Sequence, residues 1–192
     1  MRVASQSLSK TLTPYCLHND SHYTALELKT GKFTSPASIR MSTNTNVLAE
    51  FKKIWEDYFK FAFVRNPSDH FLSVYLYLKQ HKAKNTECFK NYSKIQEKTN
   101  FSALSDWSFT GLFDRISDEN DKIIVDFVGK HESIKEDWDF ILKKVGIKKL
   151  NLLHINKSNK NEKDLEWHYT KTEKDVVKKL YKKDFEKFKY DF

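Results

Sequence analysis

The sequence predicts an α/β fold, and three observations predict it. Two short apolar runs rich in β-branched and aromatic residues, Phe59 to Val64 and Ile123 to Val128, suit buried strands, and each leads into helix-start signals. Elsewhere apolar residues recur at helical spacing. With 4 Gly and 3 Pro in 192 residues the chain is poor in breakers and so rich in helix. That length suits one domain with its own core, so residues 1–192 are read as a single domain.

Taken in order, the chain first turns around Pro14 and then runs through a Ser- and Thr-rich stretch, Thr30 to Asn46 with Pro36 inside, that reads as a loop. Val47, Leu48, Phe51, Ile54, Trp55 and Tyr58 lie at helical spacing and make an amphipathic helix feeding the first strand. After that strand the texture changes. Asn66 suits a helix cap, Pro67 the first helical position, and Asp69 a box-like Asn-x-x-Asp start. Arg65 therefore sits where a strand hands over to a helix. Helix N-terminal amides and the helix dipole favour anions at such a junction, and a guanidinium adds a fork for phosphate. Ser73 lies seven residues past the cap, about two turns on, so it returns to the face of Asn66. Arg65 and Ser73 can hold one phosphate between them.

Lys79 to Asn100 reads as helices with a solvated outer face. Glu119 to Lys122 makes a turn before the second strand. Ser133 and Glu136 then form a capping box, Ile134, Trp138, Ile141, Leu142 and Val145 line one face of the helix, and Gly146 ends it. Leu152 to Ser158 reads as a short strand running into a polar loop. The final helix starts near Thr172, with Val176, Val177, Leu180, Tyr181, Phe185 and Phe188 at helical spacing.

Thirty-four Lys and Arg against 26 Asp and Glu give a net charge of +8, which points to anionic partners such as nucleotide phosphates or acidic glycans. The lysines are interspersed with acids, so a nucleic-acid-binding stripe is not expected. Cys16 and Cys88 are too few and too far apart for a disulfide framework or a Cys-rich metal site. No stretch approaches the ~20 apolar residues of a membrane span, and no charged-then-apolar signal segment opens the chain.

The run FVRNPSDHFLSVY resembles the 3′-phosphate-binding signature of the carbohydrate sulfotransferases known as sulfotransferase family 2, which use 3′-phosphoadenosine 5′-phosphosulfate (PAPS). By that resemblance Arg65 and Ser73 hold the 3′-phosphate. Arg2-Val3-Ala4-Ser5-Gln6-Ser7 is similar to the family's 5′-phosphosulfate loop, a P-loop-like turn in which small side chains let backbone N–H groups close on the ligand. His22, Thr24 and Leu26 to Lys29 look like the segment that carries a histidine near the acceptor hydroxyl, with His18 as a less favoured competitor. DFVGKHESIKEDWDFI resembles a strand-to-helix segment of the family, with Gly129 and Glu132 at its usual positions; Glu132 reads as orienting active-site groups or as a structural cap or buried salt bridge, His131 as a surface residue. LLHINKS is similar to its His-x-Asn-x-Ser stretch, which makes Lys157 and Ser158 nucleotide contacts. YKKDFEKFKY resembles the family's C-terminal ending.

The sequence departs from the family in four places. Arg2 stands where Lys is usual, and Met1 where Pro is usual. His70 replaces a common Arg, which weakens a secondary anion contact. SDWSFTGLFDRI lacks the His-x-Arg-Pro-Gln-like element. The strand that supports the phosphosulfate loop is missing ahead of Met1, so a fragment, a misplaced start or a degenerate relative is expected.

The resemblance implies a P-loop-like three-layer fold with a central, mainly parallel sheet flanked by helices, and transfer of a sulfonate group from PAPS to a carbohydrate hydroxyl, without a metal. His22 is then the base and Arg2 the cation balancing the leaving phosphate, with Ser5, Gln6 and Ser7 on the phosphosulfate. The alternative is a weakened or truncated relative that only binds nucleotide or glycan. A nucleotide kinase fits less well, because the loop has no Gly-rich Walker pattern. The expected compartment is the cytoplasm for a bacterial protein and the Golgi lumen for a fragment of a eukaryotic homologue.

Overall fold

The computed structural model describes residues 11, 24–32, 49–50, 52–53, 55–73, 111–153, 169 and 171–192. They fall into two compact units: one holds those up to Val64 together with 112–153, the other holds 65–73, 111, 169 and 171–192.

The first unit is α/β. Strand β1 (Phe61–Val64) pairs in parallel with β2 (Phe127–Lys130), Phe61 opposite Phe127 and Phe63 opposite Gly129. β1 falls within the apolar run Phe59 to Val64, as the sequence predicts, whereas β2 shares only Phe127 and Val128 with the run Ile123 to Val128. Alternation puts Phe61, Phe63, Phe127 and Gly129 on one face, and helix α4 (Ile134–Lys144) covers it. There the Phe127 and Phe140 rings lie 4.6 Å apart, and a Cβ built on Gly129 would meet Phe63 and Asp137. Lys60 fixes the register at the entry to the sheet. Its N–H donates to Asp126 Oδ2 at 2.7 Å, its carbonyl accepts from the N–H groups of Asp126 and Phe127, and its ammonium pairs with the same carboxylate at 3.1 Å.

Helix α1 (Ala25–Thr30) shows how local signals set its ends. Thr24 Oγ1 accepts from Glu27 N–H while the Glu27 carboxylate accepts from Thr24 N–H at 2.7 Å, a complete capping box. Gly31, at φ 71°, closes the other end in the left-handed conformation that glycine adopts without strain. Helix α3 (Leu112–Ile116) packs on α1 and contributes Leu112, Phe113 and Ile116 to the core of this unit.

Four expectations need correction in this unit. The run Ile123 to Val128 is not one strand: Ile123 bridges antiparallel to Ser117 across a turn, and parallel pairing begins only at Phe127. Asp118 is the reason, since its carboxylate accepts from both Asn120 and Lys122 N–H at 3.0 Å and folds the chain back there. Ser133 stands at the start of α4 without a side-chain cap bond; its hydroxyl donates instead to Asp137 at 2.8 Å. Tyr58 and Val145, expected on buried faces, are 51 % and 42 % exposed, because each lies where helical periodicity has ended, one after the 3₁₀ turn Trp55–Asp57 and the other at the cap of α4. Leu152 and Leu153 lie in irregular backbone, not strand. Gly146 does end α4, at φ 76° with Ile147 N–H on the Leu142 carbonyl at 2.9 Å. The expected helices within Lys79 to Asn100 lie outside the described residues.

The second unit contains helix α2, described over residues 67–73, and the C-terminal helices α5 (Lys171–Leu180) and α6 (Lys182–Phe188). The one final helix read from the sequence is thus broken at Tyr181, and its apolar face still closes the core. Phe71, Leu72, Tyr169, Val177 and Tyr181 form that core, with Leu180 and Phe185 packed against it. The Tyr169 hydroxyl donates to the Ser68 carbonyl at 2.6 Å. Burial, reinforced by the Glu173 carboxylate, pushes the phenol well above its usual range, so it keeps its proton. Tyr169→Phe is expected to cost about 1–3 kcal/mol in urea unfolding, because a buried carbonyl loses its donor. The sign with pH follows from the raised value. The bond's contribution is full below the ordinary phenol value of about 10 and is lost above it, so the wild type's advantage over Tyr169→Phe narrows as pH rises past that point.

Candidate functional site

The strand-to-helix junction stands where the sequence places it. Val64 ends β1, Arg65 and Asn66 belong to neither element, and helical backbone begins at Pro67. Asn66 is the cap: its Oδ1 accepts from Ser68 N–H at 3.0 Å and its carbonyl accepts from His70 N–H at 2.8 Å. Proline follows without loss, because the first helical N–H has no partner within the helix.

Arg65 is buried at 9 % exposure. Its Nε donates to Asp69 Oδ2 at 2.5 Å, and its Nη2 donates to the same oxygen. Asp69 is the third helical residue, where the helix dipole favours a negative charge. Ser73, half-buried, stands one turn beyond Asp69 on the same face. The second unit thus brings together, along one side of the first two turns of α2, a guanidinium, the carboxylate that holds it and a hydroxyl. The guanidinium, the hydroxyl and the amides of the first turn are all donors, which is the chemistry that gathers an anionic group.

Three features of this junction escaped the sequence reading. Asp69, read as part of the cap, takes the Arg65 guanidinium; the four-residue spacing of opposite charges was the available signal. Asn66 Nδ2 donates to the Asp191 carbonyl at 2.8 Å, a contact across 125 residues that no local pattern announces. His70 turns into the core, 2 % exposed, its ring edge-on to Tyr181 at 6.0 Å. It is a packing residue.

In the first unit, the Asp137 carboxylate gathers the carboxyl end of β2, accepting from Lys130 N–H at 2.6 Å and from the Ser133 hydroxyl. Glu132 is exposed and His131 half-buried in the 3₁₀ turn His131–Ser133. The Thr24–Glu27 capping box begins α1 two residues past His22, and its Thr-x-x-Glu pattern is the signal that marks it in the sequence. Arg2, Ser5, Gln6, Ser7, His22, Lys157 and Ser158 lie outside the described residues. Among those described, no helix is long and apolar enough to cross a membrane.

A parallel strand pair with helices, and a capped helix following directly on a basic residue, make this an α/β protein. More particularly, a model of the sulfotransferase family matches residues 2–191, and the chain belongs to that family. An uncharacterized protein of Archaeoglobus fulgidus is 33 % identical over 99 residues, which span 50 % of this chain and 74 % of that protein. No solved structure matches.

Proposed function

We propose that the chain transfers a sulfonate group from PAPS to a hydroxyl of a carbohydrate acceptor. The observation that carries this reading is the placement of Arg65 and Ser73 along the start of α2, in a chain whose family membership spans residues 2–191. The parallel pairing of β1 and β2 supports the P-loop-like three-layer sheet that this activity goes with.

PAPS supplies a sulfonate joined to a phosphate leaving group. In this reading Arg65 and Ser73 hold the 3′-phosphate, Lys157 and Ser158 add nucleotide contacts, and Ser5, Gln6 and Ser7 hold oxygens of the phosphosulfate. His22 takes the proton of the acceptor hydroxyl while the acceptor oxygen bonds to sulfur and the bond from sulfur to the bridging oxygen breaks. Arg2 balances the charge left on the departing phosphate. Positioning and electrostatics do the catalytic work, and no metal is needed.

Titration calorimetry with adenosine 3′,5′-bisphosphate tests the reading. Wild type is expected to bind in the micromolar range, and Arg65→Ala roughly 10- to 100-fold more weakly, the scale of a lost hydrogen bond to a charged group. No binding by a folded wild type would remove the active-enzyme reading and leave a repurposed relative. Competition by ATP as strong as by the bisphosphate would favour a kinase instead.

A further inference from the structure

We propose that Asp69 is the positioning residue of the 3′-phosphate site, fixing the Arg65 guanidinium along the first turn of α2 before any ligand arrives. The inference rests on the 3′-phosphate reading given above and adds to it a residue that the site needs.

Arg65 precedes the helix, so its backbone is not constrained by helical geometry and its long side chain has several staggered routes away from the junction. One of them is selected. Nε and Nη2 both donate to Asp69 Oδ2, and a donor pair from one guanidinium edge on one oxygen fixes the direction of the group as well as its distance. The side chains of the pair are 10 % and 25 % exposed, so water screens the contact only in part. Asp69 lies one turn before Ser73 on the same face of the helix, so the route it selects keeps the cation on the Ser73 side.

A carboxylate beside an anion site has an evident drawback, since it repels phosphate. Two features offset this here. The carboxylate is shared with the guanidinium, and it stands in the first helical turn, where the dipole already favours negative charge. What remains is a cation ordered in advance, which binds without the loss of rotamer freedom that a loose arginine would suffer on binding.

The test compares adenosine 3′,5′-bisphosphate with adenosine 5′-monophosphate by titration calorimetry on the full chain as wild type, Asp69→Asn, Asp69→Glu and Arg65→Ala. Asp69→Asn keeps the shape and loses the charge. It is expected to weaken the bisphosphate roughly 3- to 10-fold, the scale of one unordered side chain, and to leave the monophosphate unchanged. Asp69→Glu, which keeps a carboxylate one methylene further out, recovers part of that loss. A purely structural role would lower both affinities together, and that outcome overturns the proposal. Unchanged or tighter bisphosphate binding by Asp69→Asn also overturns it, because the carboxylate would then be a competitor of phosphate. If Asp69→Asn does not fold, Asp69→Glu against wild type carries the same comparison, and an unaltered ratio of the two affinities counts against the proposal. Failure of the underlying reading looks different: wild type itself would not prefer the 3′-phosphate, or Arg65→Ala would keep the preference.

Discussion

Trp138→Ala is expected to lower stability by about 3–5 kcal/mol, the range for removing a buried aromatic and leaving a cavity. Trp138 is 4 % exposed in the middle of α4, beside Ile141 and Leu142, which are buried with it. Its Nε1–H also donates to the Leu150 carbonyl at 2.7 Å, which ties the segment after α4 back onto the helix. The substitution therefore removes apolar burial and a hydrogen bond together. In a chain of this size the loss takes a large share of the ~5–15 kcal/mol that folded domains have. It is read directly as a fall in the urea midpoint, and a fall equivalent to less than about 1 kcal/mol would mean that α4 does not carry the sheet. Trp138→Phe, which keeps most of the apolar contact and loses the N–H, separates the two contributions.

Gly129→Ala is expected to cost about 1–3 kcal/mol, by overpacking instead of by a cavity. An added Cβ would stand 2.6 Å and 2.9 Å from two ring atoms of Phe63 and 3.2 Å from Asp137 Cβ. Phe63 cannot swing aside cheaply, since it is the directly opposed strand partner and is buried. Asp137 cannot move freely either, because its carboxylate holds Lys130 N–H and Ser133. The conflict thus pushes on the carboxyl end of β2 from two sides. A double-mutant cycle with Phe63→Leu checks the cause: with the ring removed, the added methyl is tolerated, so the double variant is about as stable as Phe63→Leu alone. Strict additivity would place the cost elsewhere. Gly129 here needs no unusual backbone angle; it is required by the closeness of its neighbours.

Much of this architecture was legible wherever the signal spans a few residues. The Asn66-Pro67 start, the Gly146 end and the apolar stripe of Trp138, Ile141 and Leu142 all appear as read, because a cap or a helical face is fixed by contacts within one or two turns. Reading failed where one local signal competed with another. Ser133 fits a capping box by pattern, yet Asp137 takes its hydroxyl; Ile123 fits a strand by pattern, yet the turn at Asp118 draws it into a bridge with Ser117. The Arg65–Asp69 pair lay between these cases. Its spacing was visible, but Asp69 had two roles open to it, and only the side-chain geometry shows that it takes the guanidinium.

The sequence by itself determined the α/β class, the strand-to-helix handover at Arg65, the helical faces and the resemblance that the family match upholds. The tertiary structure alone decided what supports that handover: Asp191 on the Asn66 amide, Tyr169 on the Ser68 carbonyl, and Lys60 and Asp126 at the entry to the sheet. It also decided that His70 packs inward against Tyr181 and that the last helix breaks at that residue. The physical reason lies in the range of the forces. Backbone capping and periodic burial act between near neighbours and leave a pattern in the sequence, whereas a hydrogen bond across 66, 101 or 125 residues depends on where the rest of the chain brings its partner.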